Sequence, residues 1–126
     1  MARTVITVQV IGRDDGTNSA LTPSYAAVDG TNHNYFDISG LVTHFLHVKN
    51  SSGGNLTITI ATNVTSENEV LPDKAYVVAN GAEVMIQMVK SAYSQTDVDS
   101  GVTTAILLDW STGTSVTAGV FRVLTN

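Results

Sequence analysis

Histidine and aspartate are the residue types in this sequence whose spacing could support metal binding or acid–base chemistry. His44 and His47 are three residues apart in a segment that reads as a β-strand, so their side chains should point to opposite faces. A shared metal ion needs convergent ligands, and no third ligand lies beside them in the sequence. We therefore expect surface or cross-strand histidines here and no metal site.

Two oxygen-rich stretches could suggest a calcium site: Asp14-Asp15-Gly16 and residues 29–34, which read Asp-Gly-Thr-Asn-His-Asn. Asp97 and Asp99, on either side of Val98, form a third such group. None has the spacing of an EF-hand loop, which also requires a glutamate at its twelfth position. Asp, Asn and Gly accommodate tight turns, and turns explain these residues without an ion. We predict no metal and no cofactor.

The triplet Asp99-Ser100-Gly101 has the Asp-Ser/Thr-Gly pattern of aspartic proteases. In a homodimeric enzyme of that class, one aspartate from each chain would share a proton. The preceding residues 94–97 are a polar run instead of a buried strand, so a turn is the favoured interpretation and a protease is the weakest hypothesis. No nucleophile elbow, phosphate-binding loop or dinucleotide fingerprint occurs. The sequence therefore predicts no catalytic residue, no cofactor-binding residue and no enzyme.

Aromatic side chains are the remaining groups that could recognise a ligand. Tyr35 follows the turn at residues 29–34, and Trp110 ends an apolar segment beside Asp109. An exposed ring can stack on a sugar or anchor a partner, whereas a buried ring fills a core. A carbohydrate-binding or adhesion module of a tail or cell-surface protein is therefore an alternative function. It requires Trp110, Tyr35 and Tyr25 to share one exposed face.

The composition excludes several functional classes. The 126 residues (13.3 kDa) are 43% hydrophobic and only 13% charged, with a net charge of −5. The six basic residues are scattered singly, so no surface for nucleic acid is expected. The absence of cysteine removes thiol catalysis and disulfides. No apolar run is long enough to cross a bilayer and no signal peptide is evident, so we expect one domain, residues 1–126, that binds neither nucleic acid nor membrane.

Short segments with strand periodicity must position these residues. In one of them Leu56, Ile58 and Ile60 alternate with threonines, which is the period of a half-buried strand. No segment combines a helix cap with a helical period. The strand-like segments are residues 4–11, 34–38, 41–49, 56–61, 74–79, 83–90, 103–110 and 116–124. The sequence therefore predicts an all-β fold: a single-domain antiparallel β-sandwich, jelly-roll-like, with about eight strands.

Turn chemistry predicts how these strands are joined. Asn80-Gly81 lies between two apolar runs and is a strong hairpin signal, since both central residues of the tight turn need positive φ. Residues 51–55 and 111–114 separate further pairs of strands in the same way. Residues 13–23 and 64–72 are longer and irregular, and we expect loops there that cross between sheets or lie on a partner.

The order of these segments resembles that of a group of small tailed-phage structural proteins. The resemblance covers about residues 25–124 and is carried by three features. These are the apolar strand that runs through Lys49-Asn50-Ser51-Ser52-Gly53 into a threonine-alternating strand, the turn at Asn80-Gly81 with its flanking strands, and the Ser/Thr-Gly turn within residues 110–118. In that group all three features are hairpins. The sequence departs from the pattern of the group in two places. Val89-Lys90-Ser91 lacks the Gly-Pro-Phe-like ending of the group, and the chain has an additional N-terminal strand.

The resemblance implies a non-enzymatic virion structural protein of a bacteriophage. More specifically, it implies a capsid decoration (cement) protein that is made in the host bacterial cytoplasm, binds the major capsid protein on the outer capsid surface and stabilises the head. Such a protein would associate with itself as a homotrimer or another small homo-oligomer, because it occupies symmetric positions of a lattice. The resemblance transfers no catalytic residue.

The N-terminal residues 1–11 are the predicted docking element. Their β-branched run suits an arm or an exposed edge strand, and equally the first strand of the core. A decoration protein needs edges or loops that bind its neighbours. The residues predicted for the partner interface are Thr4, Ile6, Val8, Val10, Arg13, Leu21 and Trp110.

Overall fold

The computed structural model describes residues 2–11, 21–39, 43–62, 65–66, 69–70, 72–88 and 93–123. The regular elements in this part of the chain are twelve β-strands. They are β1 (Thr4–Val5), β2 (Val8–Ile11), β3 (Ala26–Ala27), β4 (Asn34–Asp37), β5 (Thr43–Asn50), β6 (Leu56–Ala61), β7 (Thr65–Ser66), β8 (Glu69–Val70), β9 (Lys74–Val78), β10 (Glu83–Met88), β11 (Ala105–Trp110) and β12 (Val116–Val123).

Two five-stranded sheets and one short hairpin contain these strands. Sheet I has the order β1-β4-β11-β6-β9. Sheet II has the order β10-β5-β12-β2, and β3 also pairs with β12, whereas β7 and β8 pair with each other. Hydrophobic side chains from both sheets form a single buried cluster. The predicted all-β sandwich is therefore confirmed.

Both sheets are mixed, although the sequence predicts antiparallel ones. β1 runs parallel to β4, with Thr4 opposite Asn34, and β2 runs parallel to β12, with Val8 opposite Val120. The other strand pairs in the described residues are antiparallel. The two parallel pairs arise because one N-terminal segment lies along an edge of each sheet and runs in the same direction as both of its neighbours. Local sequence patterns do not encode that direction.

Side-chain alternation along the strands places the core. On β6 the predicted alternation is confirmed, because Leu56, Ile58 and Ile60 are buried and the residues between them are partly exposed. On β5 the even-numbered residues are buried and the odd-numbered ones are half-buried. Full burial of one such aliphatic side chain stabilises a fold by about 1.5–3 kcal/mol. The core between the sheets therefore follows directly from the period of two.

The three predicted turns are present, but each of them joins two different sheets. Asn80-Gly81 leads from β9 in sheet I to β10 in sheet II, and these two strands do not pair. Gly81 has a φ of 81°, but Asn80 does not have the positive φ that the sequence argument required of both central residues. The Ala82 amide donates to the Ala79 carbonyl at 3.0 Å and closes the tight turn. Residues 51–55 join β5 to β6 and residues 111–115 join β11 to β12, again between sheets. The predicted hairpins are therefore wrong, since turn residues reverse the chain without specifying the sheet that the next strand enters.

The predicted loops are only partly loops. Within residues 64–72, β7 and β8 form an antiparallel hairpin, with Thr65 opposite Val70. The short strand β3, just after the predicted loop at residues 13–23, was not expected either. Arg13 and Asp14-Asp15-Gly16 lie outside the described residues. Strand pairing in both places involves only two residues per strand, which is too short for a periodic signal.

The N-terminal segment contributes an edge strand to each sheet. The strand predicted over residues 4–11 is interrupted at Ile6 and Thr7, where the chain passes from sheet I to sheet II. The Ile6 amide donates to the Tyr35 carbonyl at 2.8 Å, and the Ile6 side chain is 5% exposed and belongs to the core. The backbone of the N-terminal segment therefore forms sheet edges, as the edge-strand alternative predicted. The Ile6 side chain belongs to the core, as the core-strand alternative predicted.

Candidate functional site

Trp110, at the end of β11, is a core residue with 4% of its surface exposed. Its indole Nε1–H donates to Oδ1 of Asn34 at 2.8 Å, and its backbone amide donates to Nδ1 of His33 at 3.1 Å. Buried indoles commonly satisfy their N–H in this way. The ring is not available to a partner or a sugar, so the prediction that Trp110 belongs to an interface is corrected.

Asn34 connects three parts of the chain around this tryptophan. Its Oδ1 also accepts a hydrogen bond from the Asp29 amide at 2.8 Å, and its Nδ2 donates to the Thr4 carbonyl at 2.9 Å. The side chain is 1% exposed. Asn34 therefore ties the N-terminal segment, the turn at residues 29–33 and β11 together. The sequence identified Asn34 only as a residue of a turn and of the strand that follows it, because its side-chain partners are distant along the chain.

An ion pair between Arg3 and Asp109 reinforces the same region. Nη1 of Arg3 lies 2.6 Å from Oδ1 of Asp109 and also donates to the Leu108 carbonyl at 3.1 Å. The two side chains are 18% and 37% exposed. Partial shielding from water strengthens such a pair relative to a fully exposed one. Its role is to hold the N-terminal residues against sheet I.

The carboxylate of Asp29 accepts hydrogen bonds that hold a turn. Its Oδ1 accepts hydrogen bonds from the amides of Thr31 at 3.0 Å and Asn32 at 2.8 Å, and its Oδ2 accepts one from the Thr4 hydroxyl at 2.7 Å. The bond from the Asn32 amide, followed by those from Thr4 and Thr31, lowers the pKa of Asp29 below its ordinary value. These contacts agree with the turn interpretation of residues 29–34.

Two glycines meet where this turn approaches the one that joins β11 to β12. A Cβ atom added to Gly30 would lie 2.5 Å from the amide nitrogen of Gly113, which no real side chain tolerates. A shallow depression of about 650 Å³ lies beside the contact and is lined by residues 27–31 and 112–114 together with Thr4. The polar side chains of its lining are those of four threonines and of Asp29, whose carboxylate is already hydrogen-bonded within the turn.

Asn50, at the end of β5, holds the crossovers between the two sheets. Its Nδ2 donates to the carbonyls of Val78 and Gly54, both at 2.9 Å, and its Oδ1 accepts from the Ser52 amide at 3.0 Å. Its carbonyl accepts from the Gly81 amide at 2.7 Å. The residue is 1% exposed. This buried amide is therefore structural, and it explains why the Lys-Asn-Ser-Ser-Gly stretch forms its turn.

A chain of polar contacts lies on the outer face of sheet II. The Tyr25 hydroxyl is 2.7 Å from Nδ1 of His47, and Nε2 of His47 is 2.9 Å from Oε1 of Glu83. Nζ of Lys49 lies 3.9 Å from the centre of the Tyr25 ring, which is a cation–π distance. His44, three residues before His47, is buried on the inner face. The prediction that the two histidines point to opposite faces is confirmed.

Asp99 is exposed in a turn, as the favoured interpretation predicts. The Gly101 amide donates to the Asp97 carbonyl at 2.8 Å, and Gly101 has a φ of 78°. The Ser100 amide donates to Oδ2 of Asp97 at 3.2 Å. An aspartic protease needs two carboxylates close enough to share a proton. Asp99 instead lies at the surface of a turn whose nearby carboxylate, Asp97, is bonded to the backbone.

The predicted interface residues do not form one surface patch. Thr4 is exposed, but its hydroxyl is bonded to Asp29, and Val10 is 37% exposed at the other end of the segment. Ile6 and Trp110 are buried. Of the others, Val8 is half-buried against the core, Leu21 is half-buried, and Arg13 lies outside the described residues.

Exposed apolar side chains lie on three sheet edges, of which the sequence anticipated only the N-terminal one. Val5 on β1 is 53% exposed, Val77 on β9 is 65% exposed and Met85 on β10 is 63% exposed. Each lies on a strand that has a neighbour on one side only in the described structure. Unpaired edges with apolar side chains favour pairing with another chain. The edges at β9 and β10 are revealed by the sheet order, because the local sequence of these strands does not show which of their sides is unpaired.

Neither the arrangement of possible metal ligands nor comparison with known proteins assigns a function to the chain. Among the described residues, no three His, Asp or Glu side chains converge as a metal site would require. The described part of the chain also contains no helix of the length and hydropathy needed to span a bilayer. Comparison of the chain with protein-family models, curated proteins and solved structures finds no match.

Proposed function

We propose that this chain is a non-enzymatic virion structural protein, a capsid decoration (cement) protein that binds the outer surface of a phage head and stabilises it. The observation that carries the proposal is a contrast between polar and apolar groups. The Asp29 and Asp97 carboxylates and the His47 imidazole are engaged in hydrogen bonds that hold turns and strands. The exposed apolar side chains of Val5 and Met85 lie on unpaired edges, where a protein partner can bind.

The resemblance of residues 25–124 to small tailed-phage structural proteins supports the capsid as the site of action. The partner is then the major capsid protein, and the chain associates with itself as a homotrimer or another small homo-oligomer at symmetric positions. A contact of standard size buries about 1,600 Å². Repetition of that contact over the lattice opposes internal pressure through multivalency.

The N-terminal edge is the surface that we assign to the capsid. Here β1 and β2 form edges of the two sheets, and the intervening Thr7 is exposed. Val5 and Val10 add apolar area along the same segment. A capsid strand or loop that lies along this side can therefore pair with backbone and cover apolar surface in one contact.

Co-sedimentation with capsids assembled from the major capsid protein of the same genome tests this proposal. Val5→Asp places a charge on the N-terminal edge and should weaken binding about tenfold or more, because an unpaired charge is then desolvated. Val98→Asp is the matched control, since Val98 is 89% exposed but lies in the turn at residues 97–101. A wild-type chain that does not sediment with capsids would contradict the proposal, and equal losses in both variants would contradict the assigned edge.

The glycan-binding alternative has no support from the arrangement of its three rings. Trp110 is buried, Tyr25 packs on His47 at the outer face of sheet II, and Tyr35 alternates with buried neighbours on β4 in sheet I. They therefore belong to three separate environments. A sugar-binding platform needs rings on one exposed surface.

A further inference from the structure

Strand β10 is an unprotected edge of sheet II. It pairs with β5 in unbroken register over its six residues and has no neighbour on its other side in the described part of the chain. Edge strands commonly avoid association through lysine, proline or a bulge, and β10 contains none of these. Met85, near its centre, is 63% exposed. This strand is therefore open to pairing with another strand.

The hydrogen-bond pattern of β10 identifies its unpaired backbone groups. The Asn50 amide donates to the Ala82 carbonyl at 3.0 Å, and the Asn50 carbonyl accepts from the Gly81 amide at 2.7 Å, so both backbone groups of Asn50 point toward the segment that leads into β10. Hydrogen-bonded and non-bonded pairs alternate along an antiparallel ladder. By this alternation Glu83, Met85 and Gln87 direct their amide and carbonyl groups away from β5, toward the open edge.

A second copy of β10 is complementary to this edge when the two strands run antiparallel with Met85 on the two-fold axis. Glu83 then lies opposite the partner's Gln87, and Gln87 lies opposite the partner's Glu83. The Glu83 carboxylate has one oxygen at 2.9 Å from Nε2 of His47, and its other oxygen can accept from the partner's Gln87 amide at each end of the contact. Each Met85 covers the partner's Met85. Every one of these opposed pairs can exchange two backbone hydrogen bonds. A parallel arrangement would instead place Glu83 opposite the partner's Glu83, where like charges repel.

We propose that the chain forms a homodimer by antiparallel pairing of β10 with β10 of a second copy. The pairing joins sheet II of both copies into one continuous sheet. On the inner face, half-buried Val84 comes opposite the partner's Ile86 and extends the apolar core across the contact. The inference concerns the chain alone and does not rest on the proposed capsid role, although it specifies a dimer among the small homo-oligomers that this role admits.

Light scattering coupled to size exclusion tests the dimer. At about 100 μM, where a dimer with a Kd near 1 μM is mostly formed, the wild-type chain should have twice the 13.3 kDa mass of one chain. Met85→Lys places two ammonium groups opposite each other on the axis and should give the mass of one chain. Val77→Lys is the matched control, because Val77 is 65% exposed on β9, the edge of the other sheet. It should remain a dimer.

Amide hydrogen exchange provides a second readout that does not depend on the mass. The amides of Glu83, Met85 and Gln87 should exchange slowly in the wild-type protein and at least tenfold faster in Met85→Lys. The amides of Val84 and Ile86, which bond to β5, should be unchanged and thereby report that the variant is folded. A wild-type monomer or trimer at this concentration would overturn the proposal. So would a dimer that persists in Met85→Lys but dissociates in Val77→Lys.

Discussion

The indole of Trp110 and the side-chain amide of Asn34 meet in a buried hydrogen bond of 2.8 Å, although the two residues are 76 positions apart. The same amide bonds to the backbone at Thr4 and Asp29. One polar side chain therefore fixes the position of the N-terminal segment, of a turn and of the last residue of β11. This arrangement makes Trp110 part of the core instead of a ligand-binding surface.

Replacement of this amide should destabilise the fold strongly. Asn34→Ala leaves the Trp110 indole N–H and the Thr4 carbonyl without their partner, and unsatisfied buried groups destabilise by about 1–3 kcal/mol each. We expect the free energy of unfolding to fall by about 2–4 kcal/mol. Urea titration followed by the fluorescence of Trp110, the single tryptophan, measures the change. Asn55→Ala, in an exposed turn, is the control, and an equal effect of both substitutions would contradict the proposed role of Asn34.

The contact between Gly30 and Gly113 predicts a second stability difference. Gly30→Ala should lower the free energy of unfolding by about 1–3 kcal/mol, because its Cβ would collide with the backbone of the other turn. Gly54→Ala has nothing within 4 Å of its added Cβ and should change stability by no more than about 0.5 kcal/mol. Chemical denaturation of both variants checks the prediction. A Gly30→Ala protein as stable as the Gly54→Ala protein would show that the two turns do not touch.

The burial of Ile6 in the core predicts that the N-terminal segment is needed for folding and not only for binding. Ile6→Ala should lower the free energy of unfolding by about 2–4 kcal/mol, since it leaves a cavity between the two sheets. Val5→Ala, at the exposed neighbouring position, should have an effect within about 0.5 kcal/mol. Removal of residues 1–11 should destabilise more than Ile6→Ala, because it also removes the Arg3–Asp109 ion pair. A truncated chain with wild-type stability would make the segment a separable arm.

The sequence was sufficient for the longer strands, but it missed the two-residue strands β3, β7 and β8 and did not give the partner of each strand. The period of two at Leu56, Ile58 and Ile60 depends only on which face of one strand is buried, so it predicted β6 and its core side chains. Asn80-Gly81 correctly predicted a tight turn for the same local reason. It could not predict that β9 and β10 separate into different sheets, because pairing depends on contacts with β6 and β5 that lie elsewhere in the chain.

The candidate site was harder to predict than the fold. An aromatic residue at the end of an apolar segment has the same local signature whether its ring is buried or exposed, and only the distant Asn34 decides the outcome for Trp110. Similarly, the exposed edges at Met85 and Val77 become visible only once the order of strands in each sheet is known. Surface function in a β-sandwich therefore follows from topology more than from residue type.

The turn at Asp29 predicts a pH dependence of stability. Hydrogen bonds, first from the Asn32 amide and then from the Thr4 hydroxyl and the Thr31 amide, hold the pKa of Asp29 below its ordinary value. A carboxyl group whose pKa is lower in the folded than in the unfolded chain adds stability above its unfolded pKa, and this stability is lost as the pH falls through the folded pKa.

Asp29→Asn, which keeps the shape of the side chain, isolates that contribution. The difference in free energy of unfolding between the wild type and Asp29→Asn should be larger near neutral pH, where the carboxylate is charged, and should shrink as the pH falls through the lowered pKa of the folded state. Asp99→Asn removes the same charge from an exposed turn position and controls for the change in net charge. Urea titrations at several pH values provide the measurement, and a wild-type advantage over Asp29→Asn that stays constant down to the acidic end would contradict the role of the charged form.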